Sequence, residues 1–444
     1  MLKYIYCRYK NSLNYFIVLV YEILFPYQIF KYLIYKKDLI IFKNTNNLSI
    51  LILIFLWVFI SYLRERYSKL NINNSIKIYL LKLKEILVIS FIVGICLFSL
   101  KVMGLEFYLN TKNLPLIFII LITFSMFKEI FIVNISLNIS SNKYKEIFIL
   151  GTEIDLDEIN NILKNYDYDT KLKFRIIDIN YNSNFMPDQL IITKENQLNY
   201  NEFKLLKNFL VNGVQITSKN KWFENELNCL PVELLNEKNL IDSKLFWDNK
   251  NLQFKLKRFL DIIFSFFLLT LSLPIILISG LLIWLSDRGP VLYQQEREGL
   301  YRRKFNVYKL RSMIINAETC GPQWATENDK RITLIGTFLR KTRIDELPQL
   351  VSVLKGDMSL IGPRPERPEF NKLLDVEIPY YNLRHLLKPG LSGWAQVNYP
   401  YSSSLEESKH KLSYDLYYIS NYSIFLDIVI FFKTMRIICR GSGT

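Results

Sequence analysis

The sequence predicts a membrane protein of α plus α/β class: an N-terminal four-helix membrane region, an α/β module, and a C-terminal domain carrying a re-entrant helix. Three observations predict it. Apolar runs fill the first third of the chain. Strand and helix patterns alternate between about 145 and 217. A further apolar run at 259–285 is interrupted by a proline. Composition agrees, because half of the 444 residues are hydrophobic and mean hydropathy is positive. The expected boundaries are 1–140, 141–250 and 251–444.

A net charge of +15 admits nucleic acid, an anionic membrane or phosphorylated substrates as partners. Many lysines flank apolar runs, which favours the membrane. No basic stretch is laid out as a recognition helix or an RNA-binding motif, so no nucleic-acid partner is expected. The five cysteines, at 7, 96, 229, 320 and 439, form no Cys-x-x-Cys, so neither a disulfide framework nor a zinc site is suggested. His385 and His410 read as structural residues.

The N-terminal runs span about 13–35, 48–63, 86–103 and 114–133. A span needs roughly 20 apolar residues, with a lower limit of about 17. The last two runs meet that length, the second is short, and the first carries Glu22, Pro26 and Gln28. No small-residue cleavage site follows the first run, so it reads as retained. The segment 64–84 holds Arg64, Arg66, Lys69, Lys77, Lys82 and Lys84 against Glu65 and is expected on the cytoplasmic side. Everything after about 140 then lies inside. Lys36, Lys37 and Lys43 fall outside, against the same rule.

From Lys145 the pattern is strand (146–150), helix (155–165), strands (174–178 and 189–193), helix (201–211) and strand (214–217). Alternation of this kind predicts a small parallel sheet. A strand–Gly–helix start invites a dinucleotide site, but only Gly151 is present, and Glu153, Asp155 and Asp157 beside it repel phosphate. The module is read as a degenerate Rossmann-like fold without a nucleotide.

Lys255, Lys257 and Arg258 lead into the apolar run 259–285. About 27 residues at 1.5 Å each give roughly 40 Å of helix, enough to cross a bilayer. Crossing would put all that follows outside the cell. Pro274, mid-run, removes a hydrogen bond and bends the helix, so a re-entrant path back to the same face is expected. Residues 289–299 and 305–313 then read as two strands with a basic turn at 302–304.

The stretch Arg340 to Glu366 holds the chemistry. Asp345 and Glu346 sit between a basic cluster and the apolar positions Leu347, Leu350, Val351 and Leu354, which have helical spacing. Thr342 or Asp345 can cap that helix, Pro348 suits its first turn, and Gly356 can end it. A capped surface helix is the plain reading. A phosphoryl-transfer site is the other: one carboxylate attacks phosphorus, its neighbour holds a divalent metal, and arginines clamp phosphate. Gly362-Pro-Arg364-Pro favours the second, since two prolines stiffen the backbone around one arginine. Beyond it, the turns of Lys388 to Tyr399, with Trp394, Gln396 and Asn398, suit either packing or a nucleotide base or sugar. The C-terminal helices, around 414–418 and 424–439, read as lying in the membrane interface, with core packing as the alternative.

Asp-Glu-Leu-Pro-Gln-Leu at 345–350 and Gly-Asp-Met-Ser-Leu-Ile-Gly-Pro-Arg-Pro at 356–365 closely resemble the signature of the bacterial sugar transferases known as polyprenyl-phosphate glycosyl-1-phosphate transferases. The likeness extends over about 252–444. The sequence departs from it at Leu273-Pro274, where the family carries Ser-Pro, at Arg302 in place of a glycine, and at Leu310 in place of a phenylalanine. The resemblance implies a large monotopic enzyme in which four spans and a Rossmann-like module precede the catalytic domain. It implies transfer of a sugar-1-phosphate from a nucleoside diphosphate sugar to undecaprenyl phosphate, the first membrane step of exopolysaccharide, capsule or O-antigen synthesis. It would work at the cytoplasmic face of a bacterial inner membrane, among membrane lipids and with Mg²⁺.

By that likeness Asp345 forms a covalent phosphosugar intermediate and Glu346 binds the metal. Arg340, Arg364, Lys309, Arg311 and Arg297 bind phosphate, and Gln349, Pro363 and Gln396 contact substrate. A membrane-bound nucleotide-sugar hydrolase or phosphatase, and a non-catalytic scaffold, are the alternatives. The sugar, the nucleotide and any homo-oligomer stay open.

Overall fold

The computed structural model describes residues 28, 47–63, 75–102, 118–119, 121–126, 145–166, 172–177, 186–193, 198–235, 252–315, 317, 329–399 and 404–439. The chain divides into two compact units, Met1–Tyr144 and Lys145–Thr444.

In the first unit, helices α1 (Asn47–Leu63) and α2 (Ser75–Val102) pack together. Leu53, Ile54, Trp57 and Val58 of α1 meet Ile86, Ile89 and Val93 of α2, with Leu121 beside them. These spacings of three and four place one face of each helix in the contact. The opposite face is also apolar, with Phe55 and Phe91 exposed. A helix apolar all round is one that faces lipid or a larger core. Among the described residues, however, one helix is long and apolar enough to cross a membrane, and it belongs to the second unit. The expected run 13–35, the charged loop residues 64–74 and the loop 104–113 lie outside the described residues, apart from residue 28.

The second unit begins with strand β1 (Lys145–Leu150), helix α3 (Glu153–Asn165), strands β2 (Leu172–Ile176) and β3 (Gln189–Ile192), helix α4 (Tyr200–Val211), strand β4 (Gln215–Ser218) and helix α5 (Lys219–Leu227). The four strands are parallel, in the order β2-β1-β3-β4. Alternate side chains of β1 serve opposite faces. Ile147 and Ile149 pack with Ile159 and Ile162 of α3 and Trp222 and Phe223 of α5, while Phe148 and Leu150 pack with Leu206 and Phe209 of α4. A β-carbon on Gly151 would stand 2.5 Å from Thr193 Oγ1 and 2.8 Å from Asp155 Oδ2. The space beside this glycine is therefore filled by the Thr193 and Asp155 side chains.

Helix α6 (Leu252–Asp287) follows, with Pro274 inside it. Strands β5 (Leu292–Glu298) and β6 (Lys304–Leu310) form the expected antiparallel hairpin. Helix α7 (Leu334–Thr342), a 3-10 turn (Ile344–Gln349) and helix α8 (Leu350–Lys355) come next. Strand β7 (Ser359–Ile361), helix α9 (Pro368–Glu377), strand β8 (Gly390–Ser392) and helices α10 (Trp394–Asn398), α11 (Leu405–Ser420) and α12 (Ile424–Cys439) complete the unit. The last two helices, both expected to lie in the membrane interface, differ in burial. In α11, Leu412, Leu416, Tyr418 and Ile419 are buried, so it is a core helix, because its aromatic positions fall on one face against Ile361, Leu374 and Tyr381. In α12 only Ile430 is buried, and Phe425, Ile428, Phe431 and Phe432 are exposed.

The stretch after α5 belongs to that same core. Leu230 and Val232 join Leu412 and Leu416, the Leu230 amide donates to Ser413 O at 2.9 Å, and Trp394 Nε1 donates to Asn228 O at 2.8 Å.

Candidate active site

Helix α7 begins on Thr333, whose hydroxyl accepts from the Gly336 amide at 2.9 Å. Gly336 lies against the Ser312 backbone, where a β-carbon would stand 1.9 Å from Ser312 O. That approach brings Arg340, on the next turn, to Ser312, and its Nε donates to the Ser312 hydroxyl at 2.9 Å. The chain then reverses at Arg343, which adopts a left-handed conformation (φ 55°). Asp345 and Glu346 follow in the 3-10 turn, both buried. No side chain caps this turn. The Thr342 hydroxyl donates back to Phe338 O instead, so neither expected cap is used. Gly356 closes α8 in the left-handed region (φ 99°), as expected.

The two carboxylates are treated differently. Glu346 accepts from Arg364 Nη2 at 2.5 Å and from Lys309 Nζ at 3.3 Å, and Arg343 Nη1 stands 3.7 Å away. Burial alone would raise its pKa, but Arg364, Lys309 and Arg343 outweigh burial and hold it well below the usual carboxylate range. The Asp345 side chain makes no hydrogen bond or ion pair among the described residues. Burial first, and then the Glu346 charge, push its pKa up to about 6 against the pull of Lys309, Arg340 and Arg364. Lys309 is lowered, mainly by burial and by the neighbouring arginines Arg364 and Arg297. The arrangement holds one anion firmly and leaves the other buried and without a hydrogen-bond or ion-pair partner among the described residues.

Arg364 is placed by backbone crossing. A β-carbon on Gly390 would stand 2.1 Å from Gly362 N, and one on Gly393 2.4 Å from Gly362 O. The Gly-Pro-Arg-Pro turn and the Gly-Leu-Ser-Gly loop thus touch main chain to main chain, which only glycine permits. The Gly390 amide donates to Pro363 O at 2.8 Å. Arg297 ties the same turn to the hairpin, with Nη1 donating to Pro365 O at 3.1 Å.

Of the residues expected from sequence, the fold brings Asp345, Glu346, Lys309, Arg364 and Arg340 to one place, with Arg297 beside Lys309 and Gln349 buried one turn on. Arg311 is not among them. It pairs with Asp287 at the end of α6, and a β-carbon on Gly289 would collide with it. Arg311 follows the end of β6 at Leu310, so the strand alternation that would have put it on the same face as Lys309 no longer sets its direction, and it turns to Asp287 at the end of α6. Pro363 serves through its carbonyl. Gln396 sits beside Gly393, with no contact to the dyad among the described residues.

Sequence reading missed a support under Arg364. The buried Arg384 donates from Nη2 to Arg364 O and to Asp415 Oδ2, both at 2.9 Å, and from Nη1 to the Tyr381 hydroxyl. Tyr381 is three positions away, but Arg364 and Asp415 lie 20 and 31 positions away, and no local pattern links them to Arg384. Among the described residues no group of three or more His, Cys, Asp or Glu side chains could hold a metal. Glu346, the residue expected to bind Mg²⁺, is engaged by Arg364 and Lys309; a Mg²⁺ shared with substrate phosphates takes one or two protein carboxylates rather than an all-protein cage.

Residues 252–441 match the family described as bacterial sugar transferase. Over 188 residues the chain is 47% identical to the UDP-N-acetylgalactosamine-undecaprenyl-phosphate N-acetylgalactosaminephosphotransferase of Aeromonas hydrophila, covering 42% of this chain and 44% of that protein. Over 182 residues it is 40% identical to the UDP-glucose:undecaprenyl-phosphate glucose-1-phosphate transferase of Escherichia coli K12, covering 40% and 39%. The chain thus spans less than half the length of these two relatives. It is 53% identical over 129 residues to a Bacillus subtilis protein described as a putative undecaprenyl-phosphate N-acetylgalactosaminyl 1-phosphate transferase, covering 29% of this chain and 72% of that protein. With its signature segments folded around one buried carboxylate pair, the chain belongs to the bacterial sugar transferase family.

Proposed function

We propose that the protein transfers a sugar-1-phosphate from a nucleoside diphosphate sugar to undecaprenyl phosphate. The observation that carries this is the contrast between Asp345, buried without a partner, and Glu346, held by Arg364 and Lys309. In the first step a carboxylate oxygen of Asp345 attacks the phosphorus that bears the sugar, and the bond to the nucleoside monophosphate breaks. In the second, a phosphate oxygen of the lipid attacks the same phosphorus and Asp345 leaves, giving the diphosphate-linked sugar. Arg364, Lys309 and Arg340 hold the charge on the transferring group. Glu346 would hold Mg²⁺, which when bound neutralises phosphate charge. The relatives' names support undecaprenyl phosphate and a nucleotide sugar as substrates. In this reading the product feeds assembly of an exopolysaccharide, capsule or O-antigen.

The same proposal places the catalytic domain at the cytoplasmic face of an inner membrane, with α6 re-entrant and four N-terminal spans. Contacts of α6 support re-entry. Near its start Arg258 donates to Val353 O at 2.6 Å and Leu354 O at 2.8 Å, and near its end Ile283 packs with Leu310 and Leu339. Both flanks rest on one body, whereas a crossing helix would put them on opposite sides of about 30 Å of hydrocarbon. Cysteines introduced at Lys255 and Lys304 should both resist a membrane-impermeant thiol reagent in intact cells, and labelling of one alone would refute re-entry.

The activity is tested with purified protein, a panel of nucleotide sugars, Mg²⁺ and undecaprenyl phosphate, reading nucleoside monophosphate release. Lipid-dependent release for one donor, lost in Asp345→Ala, is expected. Equal release without lipid would point to a hydrolase, and no release from folded protein would point to a scaffold.

A further inference from the structure

A cavity of about 460 Å³ opens beside the start of α6, at the far end of α8 from the dyad. Lys255, Lys257, Arg258 and Lys388 line it against a single carboxylate, Asp261. That carboxylate is already engaged, accepting from the Ser359 hydroxyl at 2.8 Å and from the Leu360 amide at 3.2 Å. Two of the cations are accounted for by structure. Lys257 pairs with Asp427 at 2.7 Å, and Arg258 binds the last carbonyls of α8. The other two are not. Lys255 and Lys388 make no hydrogen bond or ion pair among the described residues. Arg258 and Lys388 also converge, since a β-carbon on Gly356 would stand 3.3 Å from Arg258 Nη2 and 3.7 Å from Lys388 Nζ. Like charges held this close, in a partly buried place, leave an anion's position open between them.

The remaining wall is mostly apolar, with Phe254, Leu300, Ile361 and Leu386 beside Ser359, Tyr418 and Tyr422. The apolar, exposed run of α6 starts at once beyond the cations, with Phe259 and Ile263 both on the surface. A ligand fitting both halves carries a phosphate next to hydrocarbon. The site is not the reacting one, because the eleven positions from Asp345 to Gly356, as 3-10 turn and α-helix, rise by about 19 Å along their axes. We propose that this cavity binds the phosphate head group of an anionic phospholipid and anchors the start of α6 at head-group depth. The proposal rests on α6 entering the membrane but not on the transfer reaction. Burial and the Arg258 charge lower the Lys388 pKa against the opposing pull of Asp261 and Asp357, and a bound phosphate relieves that remaining cost.

The test uses the full chain, delipidated in a zwitterionic detergent and titrated with short-chain phosphatidylglycerol or phosphatidylcholine, with bound lipid read by native mass spectrometry. Tighter binding of phosphatidylglycerol is expected. Lys388→Gln should cut that preference about fivefold, Lys388→Arg should keep it, and Lys372→Gln on exposed α9 should leave it unchanged. Equal binding of the two lipids by the wild type overturns the proposal. So does an unchanged preference in folded Lys388→Gln, or displacement of the lipid by millimolar inorganic phosphate, which would mark a site for soluble phosphate. None of these readouts involves sugar transfer, so they stand apart from the proposed activity.

Discussion

Two turns in this chain lead into helices, and each presents a carboxylate where an anion would bind. At the start of α3, Asp155 Oδ2 accepts from the Thr152 amide and hydroxyl, both at 2.9 Å, and from the Thr193 hydroxyl at 3.1 Å, with Lys219 3.9 Å away. Before α8, Asp345 is buried with none of these. Burial raises both pKa values, but the hydrogen bonds and Lys219 bring Asp155 below its ordinary value, whereas Asp345 stays above it. The first carboxylate closes an anion site and stabilises the fold. The second is buried without a hydrogen-bond partner among the described residues, at a cost in stability, and it is the nucleophile of the proposed reaction.

The largest test of that contrast is Asp345→Asn. It should abolish nucleoside monophosphate release, by more than about 10³-fold, while raising the melting temperature at pH 8 more than at pH 4. The sign follows from the raised pKa. An acid whose folded pKa lies above its unfolded value costs stability once pH rises past the unfolded value, and the amide removes that cost. In the wild type, lipid-dependent release should climb with pH through about 6, as Asp345 loses its proton. A flat profile between pH 5 and 7 in the chemical step would contradict the assignment.

Glu346→Gln comes next. It removes the counter-ion of Arg364 and Lys309 and the like charge beside Asp345, so release should fall by about 10²-fold and the acidic limb should move to lower pH. An acidic limb that stays in place would separate the two carboxylates electrostatically. Arg384→Lys tests the support beneath Arg364. A lysine cannot reach Arg364 O, Asp415 and Tyr381 together, so about a tenfold loss is expected, carried by KM for the nucleotide sugar more than by kcat. The smallest effect belongs to the other turn. Asp155→Asn should cost about 1 kcal/mol of stability, visible at pH 7 and vanishing as acid protonates the wild-type carboxylate, with transfer unchanged. A large loss of transfer there would mean that the module takes part in the reaction.

Local order was legible where chemistry and spacing are local. The parallel module, the β5–β6 hairpin and the closing Gly356 all follow from periodicity and turn residues within a few positions. The dyad and its basic neighbours lie within one segment, so their proximity is nearly guaranteed by chain connectivity. Lys309, 36 positions before Asp345, was placed by likeness to the family and not by pattern. Arg311 shows the limit of that reasoning, since two positions past Lys309 the chain has left the strand and the side chain serves Asp287. The aromatic stretch 414–418 misled in a similar way: its side chains suit an interface or a core equally, and the partner decides.

The sequence by itself determined the family, the carboxylate pair and the stiff turn carrying Arg364, because these are fixed by residue type and by neighbours along the chain. Only the tertiary structure decided which carboxylate is held and which is left without a partner, that Arg384 and Asp415 support Arg364 from below, and that Lys388 meets Arg258 across Gly356. Charges separated by tens to more than a hundred residues interact according to distance in space, and that distance exists only after the backbones have crossed at Gly362, Gly390 and Gly393.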